Sequence, residues 1–319
     1  MNAFLFPGQG SQSPGMGSFL YENFKTAKVT FEEASDAISI DLKKLCFTGS
    51  VEELALTENT QPALLTVSTA TARVLTQDLG LKAEITAGHS IGEYASCVYS
   101  DVMSFKDAVR AVRVRGQAMQ SAVPVGLGGM TAALGLTEEQ VIFLCDWTKK
   151  LSGYSPLSPA NYNCNGQIVI SGSMKALDWL KANFKPEALP GEPRRAKLIP
   201  LQVSAPFHCE MMRPAQERMR DFLHEIEFAD SRISLIQNVN ALAETNSARI
   251  KNNLIEQVSA PVKWTQSMET LKSMGVSRCF EVGNGNVLKG LLKKIDAEFF
   301  KVHTTSSFDD IKAIEVLTK

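Results

Sequence analysis

The sequence predicts an α/β protein with a mostly parallel sheet that is covered by helices on both faces, and with a small α+β subdomain inserted into it. Predicted strands and helices alternate along most of the chain, which is typical of parallel sheets. The chain has 319 residues, more than one core usually holds, so a large unit and a smaller one are expected. The Gly-rich segment 124–129 marks the start of a separate β-α-β-α-β block, which suits a small α+β subdomain.

The larger unit is predicted from apolar residues at strand and helix spacing. Its first half begins with a short buried strand that ends at the Gly-rich turn 7–17, and its second half begins after Pro206. In chain order we predict a strand at 3–6, helices at 18–46 and 62–79, a strand at 83–87, helices at 92–99, 104–123 and 210–226, a strand at 233–239, helices at 247–258 and 264–274, a strand at 277–282 and a helix from 285.

The inserted block carries its own alternation of strands and helices. It is predicted to contain strands near 130–135, 167–171 and 195–201 and helices near 137–149 and 174–184. Segment 185–195 holds three prolines and a glycine, so we expect it to be a surface loop. We therefore expect a large subdomain formed by 1–125 and 202–319 and a small one formed by 126–201.

Composition argues against several classes of function. Apolar residues make up 44% of the chain, and 33 basic against 34 acidic residues leave a net charge of −1, so nucleic acid is not an expected partner. The six cysteines match no zinc pattern, which favours free thiols in a reducing compartment and no metal site. No apolar run reaches the roughly 18 residues of a membrane span, and the first residues lack the basic start of a secretory signal. We expect a soluble, cytoplasmic protein.

A candidate nucleophile stands in Gly88-His89-Ser90-Ile91-Gly92, which fits the pattern G-x-S-x-G. The pattern lies between a predicted strand and a predicted helix, where glycines allow a sharp turn that presents the serine hydroxyl. The N–H group after the serine can then stabilise an oxyanion. A glycine-rich turn with an N-capping serine is the simpler alternative, but the strand–turn–helix setting favours a nucleophile.

A serine nucleophile needs a base, and the chain has four histidines. His89 adjoins Ser90 and is expected to point elsewhere. His224 lies in a charged helix, and His303 lies near the end of the chain on a predicted edge strand. His208 follows a predicted strand, at the end of the sheet where α/β proteins build their sites. A structural loop histidine is the alternative, and beside a nucleophile elbow we favour His208 as the base.

An arginine interrupts the apolar face of the predicted helix 104–123. Ala108, Val112 and Met119 mark that face, and Arg115 falls in its middle. A guanidinium stays charged, so a buried one needs an anionic partner. An internal salt bridge to an Asp or Glu is the first explanation. The other is the carboxylate of a substrate, held by two parallel hydrogen bonds.

Together these residues resemble the malonyl-CoA:acyl carrier protein transacylases of bacterial fatty acid synthesis. The likeness extends over nearly the whole chain, and the order and spacing of the motifs match the family. The segments that carry it are Phe-Pro-Gly-Gln-Gly-Ser-Gln at 6–12, Thr-Gln-Pro-Ala-Leu at 60–64, Gly-His-Ser-Ile-Gly-Glu-Tyr at 88–94, Arg-Gly at 115–116, Met-Gln at 119–120, Pro-Phe-His-Cys at 206–209 and Glu-Val-Gly at 281–283. The resemblance implies an α/β-hydrolase-like large subdomain and a small ferredoxin-like one.

The resemblance also implies roles for individual residues by position. Ser90 would take the malonyl group, with His208 as its base. Arg115 would hold the malonyl carboxylate. The backbone N–H groups of Gln9 and Ile91 would form the oxyanion hole.

Three further positions follow from the same resemblance. Gln257 would orient His208 through its backbone carbonyl, in place of the usual Asp. In this family a Phe before the histidine accompanies malonyl preference by closing the space for a methyl branch, and Phe207 would supply that bulk. Many relatives carry Gly-Pro-Gly where this chain has Asn284 between two glycines. Because Asn tolerates turns, little effect is expected.

The implied reaction is a two-step, ping-pong exchange through a malonyl-Ser90 ester, from malonyl-CoA to the pantetheine thiol of acyl carrier protein. No metal or cofactor is required, and the resemblance implies a monomer. Basic residues around 181–197 and 289–294 are candidates for receiving the acidic carrier protein. An acyl-thioester hydrolase, an acyltransferase of a polyketide pathway and a non-catalytic module that binds the carrier protein stay open as alternatives. Arg115 on an apolar face favours a carboxylated acyl group and hence the transferase.

Overall fold

The computed structural model describes residues 1–191 and 195–318, and it divides their strands between two separate sheets. The first sheet is mostly parallel and the second is antiparallel, which confirms the predicted fold class. In the described part of the chain the strands are β1 (Asn2–Phe6), β2 (Ile85–Gly88), β3 (Gly128–Leu134), β4 (Leu157–Cys164), β5 (Gln167–Ser173), β6 (Lys197–Pro200), β7 (Ser234–Ile236), β8 (Ala243–Glu244), β9 (Arg278–Glu281) and β10 (Lys301–Thr304).

Helices surround both sheets. In the same described ranges they are α1 (Ser18–Asn23), α2 (Lys25–Ile38), α3 (Leu42–Thr48), α4 (Val51–Ala55), α5 (Thr57–Arg73), α6 (Gly92–Tyr99), α7 (Phe105–Ser121), α8 (Glu138–Ser152), α9 (Met174–Asn183), α10 (Arg213–His224), α11 (Ser247–Gln257), α12 (Trp264–Ser273), α13 (Val287–Asp296) and α14 (Phe308–Thr318). A π-helical turn follows α5 at Val74–Asp78, and 3₁₀ turns occur at Pro186–Ala188 and Glu210–Met212. None of these helices is long and apolar enough to cross a membrane.

The first sheet has the strand order β10-β9-β1-β2-β7-β8, in which β8 runs antiparallel to β7 and the other pairs are parallel. Its inner strand β1 is apolar on both faces. Phe4 and Phe6 pack into one core cluster, whereas Ala3 and Leu5 pack into another. Burial on both faces explains why this strand reads as a continuous apolar run.

The carboxyl ends of β1 and β2 lie side by side, because Phe6 pairs with Gly88 in parallel register. The turn after β1 carries Gln9, and the turn after β2 carries Ser90. Parallel pairing thus brings two distant segments of the chain to one edge of the sheet, which is where α/β proteins bind their ligands.

The second sheet has the order β4-β5-β3-β6 and is antiparallel throughout. With α8 and α9 its element order is βαββαβ, the ferredoxin-like pattern that the resemblance implied. The sequence predicted three strands in this block, but its described residues form four, so the prediction is wrong in omitting β4. That strand contains Pro159 and several polar residues, which hide its alternation.

The prediction of a single helix at 18–46 is wrong, because the segment forms the three helices α1, α2 and α3. Phe24 has extended backbone angles between the first two (φ −128°, ψ 125°), and Ser39 adopts a left-handed φ of 55° after α2. Asp41 then begins α3 by accepting a hydrogen bond from the Lys44 N–H at 2.8 Å. The apolar spacing continues across both breaks, so it does not reveal them.

The helix predicted at 62–79 begins earlier, at Thr57, and contains Pro62. A proline inside a helix leaves the carbonyl four residues before it without a backbone donor. Here that carbonyl belongs to Glu58, and it accepts a hydrogen bond from Nη1 of Arg113 at 2.7 Å. A side chain from α7 therefore replaces the missing helical bond, which no local pattern in the sequence predicts.

The other predicted elements lie where they were expected, with small differences at their ends. The short strand β8 and the last helix, α14, were not predicted. Residues 192–194 of the predicted loop 185–195 lie outside the described residues.

Candidate active site

Ser90 lies on a sharp turn between β2 and α6, with a left-handed φ of 52°. The backbone packs so closely around Gly88 and Gly92 that neither position has room for a side chain. A Cβ on Gly88 would lie 2.0 Å from the carbonyl carbon of Gly92, and a Cβ on Gly92 would lie 2.2 Å from the carbonyl oxygen of Phe6. The glycines therefore let the turn pack against the end of β1, and this packing holds Ser90 in a strained conformation.

Asn238, which follows β7, holds this turn from the neighbouring strand. Its Oδ1 accepts a hydrogen bond from the Ser90 N–H at 2.7 Å, and its Nδ2 donates to the Gly88 carbonyl at 2.7 Å. The side chain is fully buried. Sequence reasoning missed Asn238, since one Asn after a predicted strand has no distinctive spacing. The pairing of β2 with β7 brings it to the turn.

His208 contacts the serine hydroxyl directly. Its Nε2 lies 2.8 Å from the Oγ of Ser90, and its Nδ1 lies 2.8 Å from the backbone carbonyl of Gln257. The carbonyl can only accept, so Nδ1 carries the proton and Nε2 is left as an acceptor. Burial, and then the positive charge of Arg115, lower the pKa of His208 to about 3. The imidazole is therefore neutral near pH 7 and can take the hydroxyl proton.

The side chain of Gln257 links the same residues a second time. Its Oε1 accepts a hydrogen bond from Nη2 of Arg115 at 2.9 Å. Its Nε2 donates to the Ser90 carbonyl at 3.0 Å and to Oε2 of Glu93 at 2.7 Å. The resemblance implied only the contact between the Gln257 carbonyl and His208, and it assigned no role to the Gln257 side chain or to Glu93.

Arg115 forms part of the same site and is 1% exposed. Its Nη1 donates to Oε1 of Gln61 at 2.9 Å, and its Nη2 also donates to Oγ of Ser90 at 3.2 Å. Its Nε has no partner among the described residues. The partners of its guanidinium are neutral, so the internal salt bridge considered from the sequence is not found in the described part of the chain. The charge of Arg115 is therefore available to an anionic ligand.

Ser90, His208 and Arg115 line a cavity of about 180 Å³, and strands of the second sheet form part of its wall. Gln9 and Ile91 line it as well, and their backbone N–H groups make no hydrogen bond to another residue in the described ranges. Free N–H groups beside a serine can bind an oxyanion. Phe207, Met119 and Met130 form an apolar part of the wall, beside the polar groups.

Asn284 holds the turn that carries Gln9. Its Nδ2 donates hydrogen bonds to the Ser11 carbonyl at 2.6 Å and to the Ser13 Oγ at 3.0 Å. A proline at this position could make neither bond, because it has no side-chain donor. The expectation that Asn has little effect here therefore overlooked two contacts with the turn.

The other three histidines make no hydrogen bond to the Ser90 hydroxyl in the described part of the chain, although His89 lines the same cavity. His89 points away from the hydroxyl, and its Nε2 lies 2.8 Å from Oδ1 of Asn163 in β4. His224 is exposed at the end of α10. His303 lies on the edge strand β10, where its ring stacks on Phe280. Each of these positions agrees with the interpretation of the sequence.

The basic residues that were considered for docking a carrier protein are exposed where the structure describes them, and Arg194 lies outside the described residues. They are Lys181, Lys185, Arg195, Lys197, Lys289, Lys293 and Lys294. In the described ranges no group of three or more His, Cys, Asp or Glu side chains could hold a metal ion. A larger cavity of about 600 Å³ lies against α5, α6 and α7 and contains none of the predicted site residues.

Comparison with known proteins assigns the family. Residues 3–282 match the model of the acyl transferase domain. The malonyl CoA-acyl carrier protein transacylase of Bacillus subtilis (strain 168) is 44% identical over 294 residues, which cover 92% of this chain and 90% of that protein. The crystal structure of an acyl carrier protein S-malonyltransferase from Vibrio cholerae superposes with a TM-score of 0.91 at 40% identity, covering 98% of this chain and 99% of that one.

A second solved structure includes a carrier protein. It is a malonyl-transacylase in complex with a type II polyketide acyl-carrier protein, with a TM-score of 0.91 at 37% identity and coverage of 99% of both chains. The chain is therefore an acyltransferase and belongs to the malonyl CoA-acyl carrier protein transacylase family.

Proposed function

We propose that this protein transfers a malonyl group from malonyl-CoA to the pantetheine thiol of acyl carrier protein, through an ester on Ser90. One observation carries the proposal. In a single cavity the Ser90 hydroxyl contacts a neutral imidazole, 2.8 Å from His208 Nε2, and a guanidinium without an acidic partner, 3.2 Å from Arg115 Nη2. A nucleophile, a base and a carboxylate-binding cation therefore meet at one point. The names of the relatives support both substrates.

In the first half-reaction the malonyl carboxylate binds Arg115, which brings the thioester carbonyl next to Ser90. His208 Nε2 accepts the hydroxyl proton while Oγ attacks the carbonyl carbon. The N–H groups of Gln9 and Ile91 stabilise the oxyanion, and each such donor is worth about 3 kcal/mol in other enzymes. Collapse of the intermediate breaks the carbon–sulfur bond, and coenzyme A leaves as its sulfur takes the proton from His208.

In the second half-reaction the pantetheine thiol of the carrier protein enters the same cavity. His208 accepts the thiol proton, the thiolate attacks the ester carbonyl, and the proton returns to Oγ of Ser90 as that bond breaks. The Gln257 carbonyl accepts the Nδ1–H bond throughout and keeps the imidazole in the tautomer that the reaction needs.

We also propose the setting in which the reaction occurs. Residues 1–125 and 202–319 would form the large subdomain and 126–201 the small one, with the cavity between them. The protein would act in the cytoplasm as a monomer in fatty acid synthesis, without nucleic acid, membrane, metal or bound cofactor. The buried, unpaired state of all six cysteines supports a reducing compartment.

The test is transfer of radiolabelled malonyl groups. We expect the wild-type protein to be labelled by malonyl-CoA and to pass the label to acyl carrier protein that bears its pantetheine arm. Ser90→Ala should not be labelled, whereas Ser121→Ala, which changes an exposed serine of α7, should behave as wild type. Label that appears at once as free malonate would indicate a hydrolase instead. Absence of labelling would refute the Ser90 mechanism. Carrier proteins from fatty acid and polyketide pathways, compared in parallel, would separate these two roles.

A further inference from the structure

Glu93 is a buried carboxylate next to the site that the mechanism above does not use. It lies in the first turn of α6, three residues after Ser90, and is 0% exposed. Its carboxylate accepts hydrogen bonds from Gln237 Nε2 at 3.1 Å, from the Asn238 N–H at 3.1 Å and from Gln257 Nε2 at 2.7 Å. All three donors are neutral. A buried charge without a cation in contact is costly, so its presence requires an explanation.

The carboxylate determines which way the Gln257 amide faces. An ionised carboxylate only accepts hydrogen bonds, so the NH₂ end of the amide must point toward Glu93. The oxygen end then points the other way, where it accepts from Arg115 Nη2 at 2.9 Å. If the amide rotated, its NH₂ group would face the guanidinium and both donors would lack an acceptor. The orientation of Arg115 therefore depends on Glu93 through one intervening side chain.

The charge of Glu93 acts on Arg115 without direct contact. Each of these groups favours the charged form of the other, although burial opposes both charges. A carboxylate in direct contact with Arg115 would compete with a substrate carboxylate for the same donors. With the amide of Gln257 between them, Glu93 offsets the buried positive charge and leaves donors of Arg115 free for the ligand.

We propose that Glu93 is a positioning residue for the carboxylate clamp, which orients the Gln257 amide and, through it, Arg115. The inference rests on the proposed function, because it concerns how Arg115 selects an acyl group that carries a carboxylate. It makes Glu93 responsible for the preference for malonyl-CoA over acetyl-CoA and not for the chemistry at Ser90.

A change in the ionisation of Glu93 should therefore change this preference. Burial raises the pKa of Glu93 to about 7. Its hydrogen bonds and the nearby charge of Arg115 act in the opposite direction and lower that pKa. Around that pH the Arg115 guanidinium stays charged, whereas Tyr94, Cys97 and His208 stay neutral. Burial raises the pKa of Tyr94 and of the Cys97 thiol, which lie on the same helix, and the pKa of His208 is about 3. Below pH 7 a protonated Glu93 would donate a hydrogen bond, and the Gln257 amide would turn its oxygen away from Arg115 to accept it.

The test compares Glu93→Gln with a matched control, Glu281→Gln. Glu281 is also a fully buried glutamate with a raised pKa, but it accepts from the N–H groups of Leu288 and Lys289 at the start of α13. Steady-state kcat and KM are measured for malonyl-CoA and acetyl-CoA. For Glu93→Gln we expect the ratio of the two kcat/KM values to fall by about ten-fold or more, through a higher KM for malonyl-CoA. For Glu281→Gln we expect lower thermal stability and an unchanged ratio.

The outcomes are distinct. A ratio for Glu93→Gln within about two-fold of the wild-type value, or an equal fall in both variants, would overturn the proposal. If Glu93→Gln does not fold, the pH dependence of the malonyl-to-acetyl ratio in the wild-type protein tests the proposal. A malonyl-to-acetyl ratio that falls below about pH 7 supports the proposal, and a ratio that stays flat from about pH 5.5 to about pH 8.5 overturns it. Wild-type protein that transfers no malonyl group would instead refute the proposed function.

Discussion

Replacement of Arg115 by alanine should abolish the preference of this enzyme for malonyl-CoA over acetyl-CoA. The guanidinium is buried, contacts Oγ of Ser90 at 3.2 Å, and has no acidic partner in the described part of the chain. Acetyl-CoA has no carboxylate to place beside it. The substitution should therefore remove an interaction that only the malonyl group makes, and leave Ser90 and His208 in contact.

The size of the effect follows from the hydrogen bonds that are exchanged. A carboxylate held by two charge-assisted bonds gains about 1.5–3 kcal/mol from each. Binding gives up the bond from Arg115 to Ser90, which is worth about 1 kcal/mol. The net gain of about 2–5 kcal/mol corresponds to a loss of kcat/KM for malonyl-CoA of roughly 30-fold to 4,000-fold.

The assay is release of coenzyme A from malonyl-CoA and from acetyl-CoA in the presence of acyl carrier protein, with Arg113→Ala as the control. Arg113 lies on the same helix, but it donates to the Glu58 carbonyl and to Asn59 Oδ1, away from the cavity. Its removal should lower the melting temperature through the loss of those bonds. The malonyl-to-acetyl ratio should stay at the wild-type value.

Two results would refute the reasoning. If Arg115→Ala kept the wild-type ratio, the guanidinium would have only a structural role. If both substrates lost activity equally, with the protein still folded, Arg115 would act on the reaction and not on the carboxylate. A matched loss in Arg113→Ala would show that α7 as a whole was disturbed.

Four further outcomes are expected. Because the pKa of His208 is about 3, acylation of the enzyme by the neutral ester p-nitrophenyl acetate should stay constant from pH 8 down to about pH 5, and a fall near pH 6.5 in the wild type would contradict this. The Arg115→Ala substitution removes a positive charge that lowers the pKa of His208. The stopped-flow rate of acylation should therefore begin to fall at a higher pH in this variant than in the wild type. Phe207→Ala should raise the kcat/KM for methylmalonyl-CoA relative to malonyl-CoA by about ten-fold, and equal effects on both in competition assays would exclude Phe207 as the block. Asn284→Ala should lower kcat by a few-fold with little change in KM, because two hydrogen bonds to the turn that carries Gln9 are lost. Faster amide hydrogen exchange in residues 8–17 should accompany that loss, and unchanged exchange would contradict it.

Much of the fold follows from local patterns. The strand β1 and the helices α6 and α7 lie close to their predicted positions, because apolar spacing records which face of an element is buried. The breaks within 18–46 and the strand β4 were not predicted. The apolar spacing continues across the breaks at Phe24 and Ser39, and Pro159 and the polar residues of β4 hide its alternation, although β4 pairs with its neighbour β5. The position of Pro62 inside α5 depends on Arg113, which is distant in the chain.

The sequence by itself determined the chemical groups of the site. The pattern around Ser90, the position of His208 after a strand and a charged residue on an apolar helix face each have a local signature. These residue types can support acyl transfer wherever they meet, so their chemistry was predictable before their geometry.

Tertiary structure alone decided how those groups are held. Asn238, which follows β7, and the side chain of Gln257, from α11, hydrogen-bond to the Ser90 backbone, and Glu93 of α6 accepts a hydrogen bond from that Gln257 side chain. No pattern in the sequence predicted these contacts. Their role depends on hydrogen-bond direction at distances near 3 Å, which is set by the pairing of β2 with β7 and by the packing of helices around it. Hydrogen bonds between residues far apart in the chain leave no periodic pattern in the sequence. Only the folded protein therefore shows that Arg115 contacts the Gln257 amide and that the carboxylate of Glu93 lies on the other side of that amide.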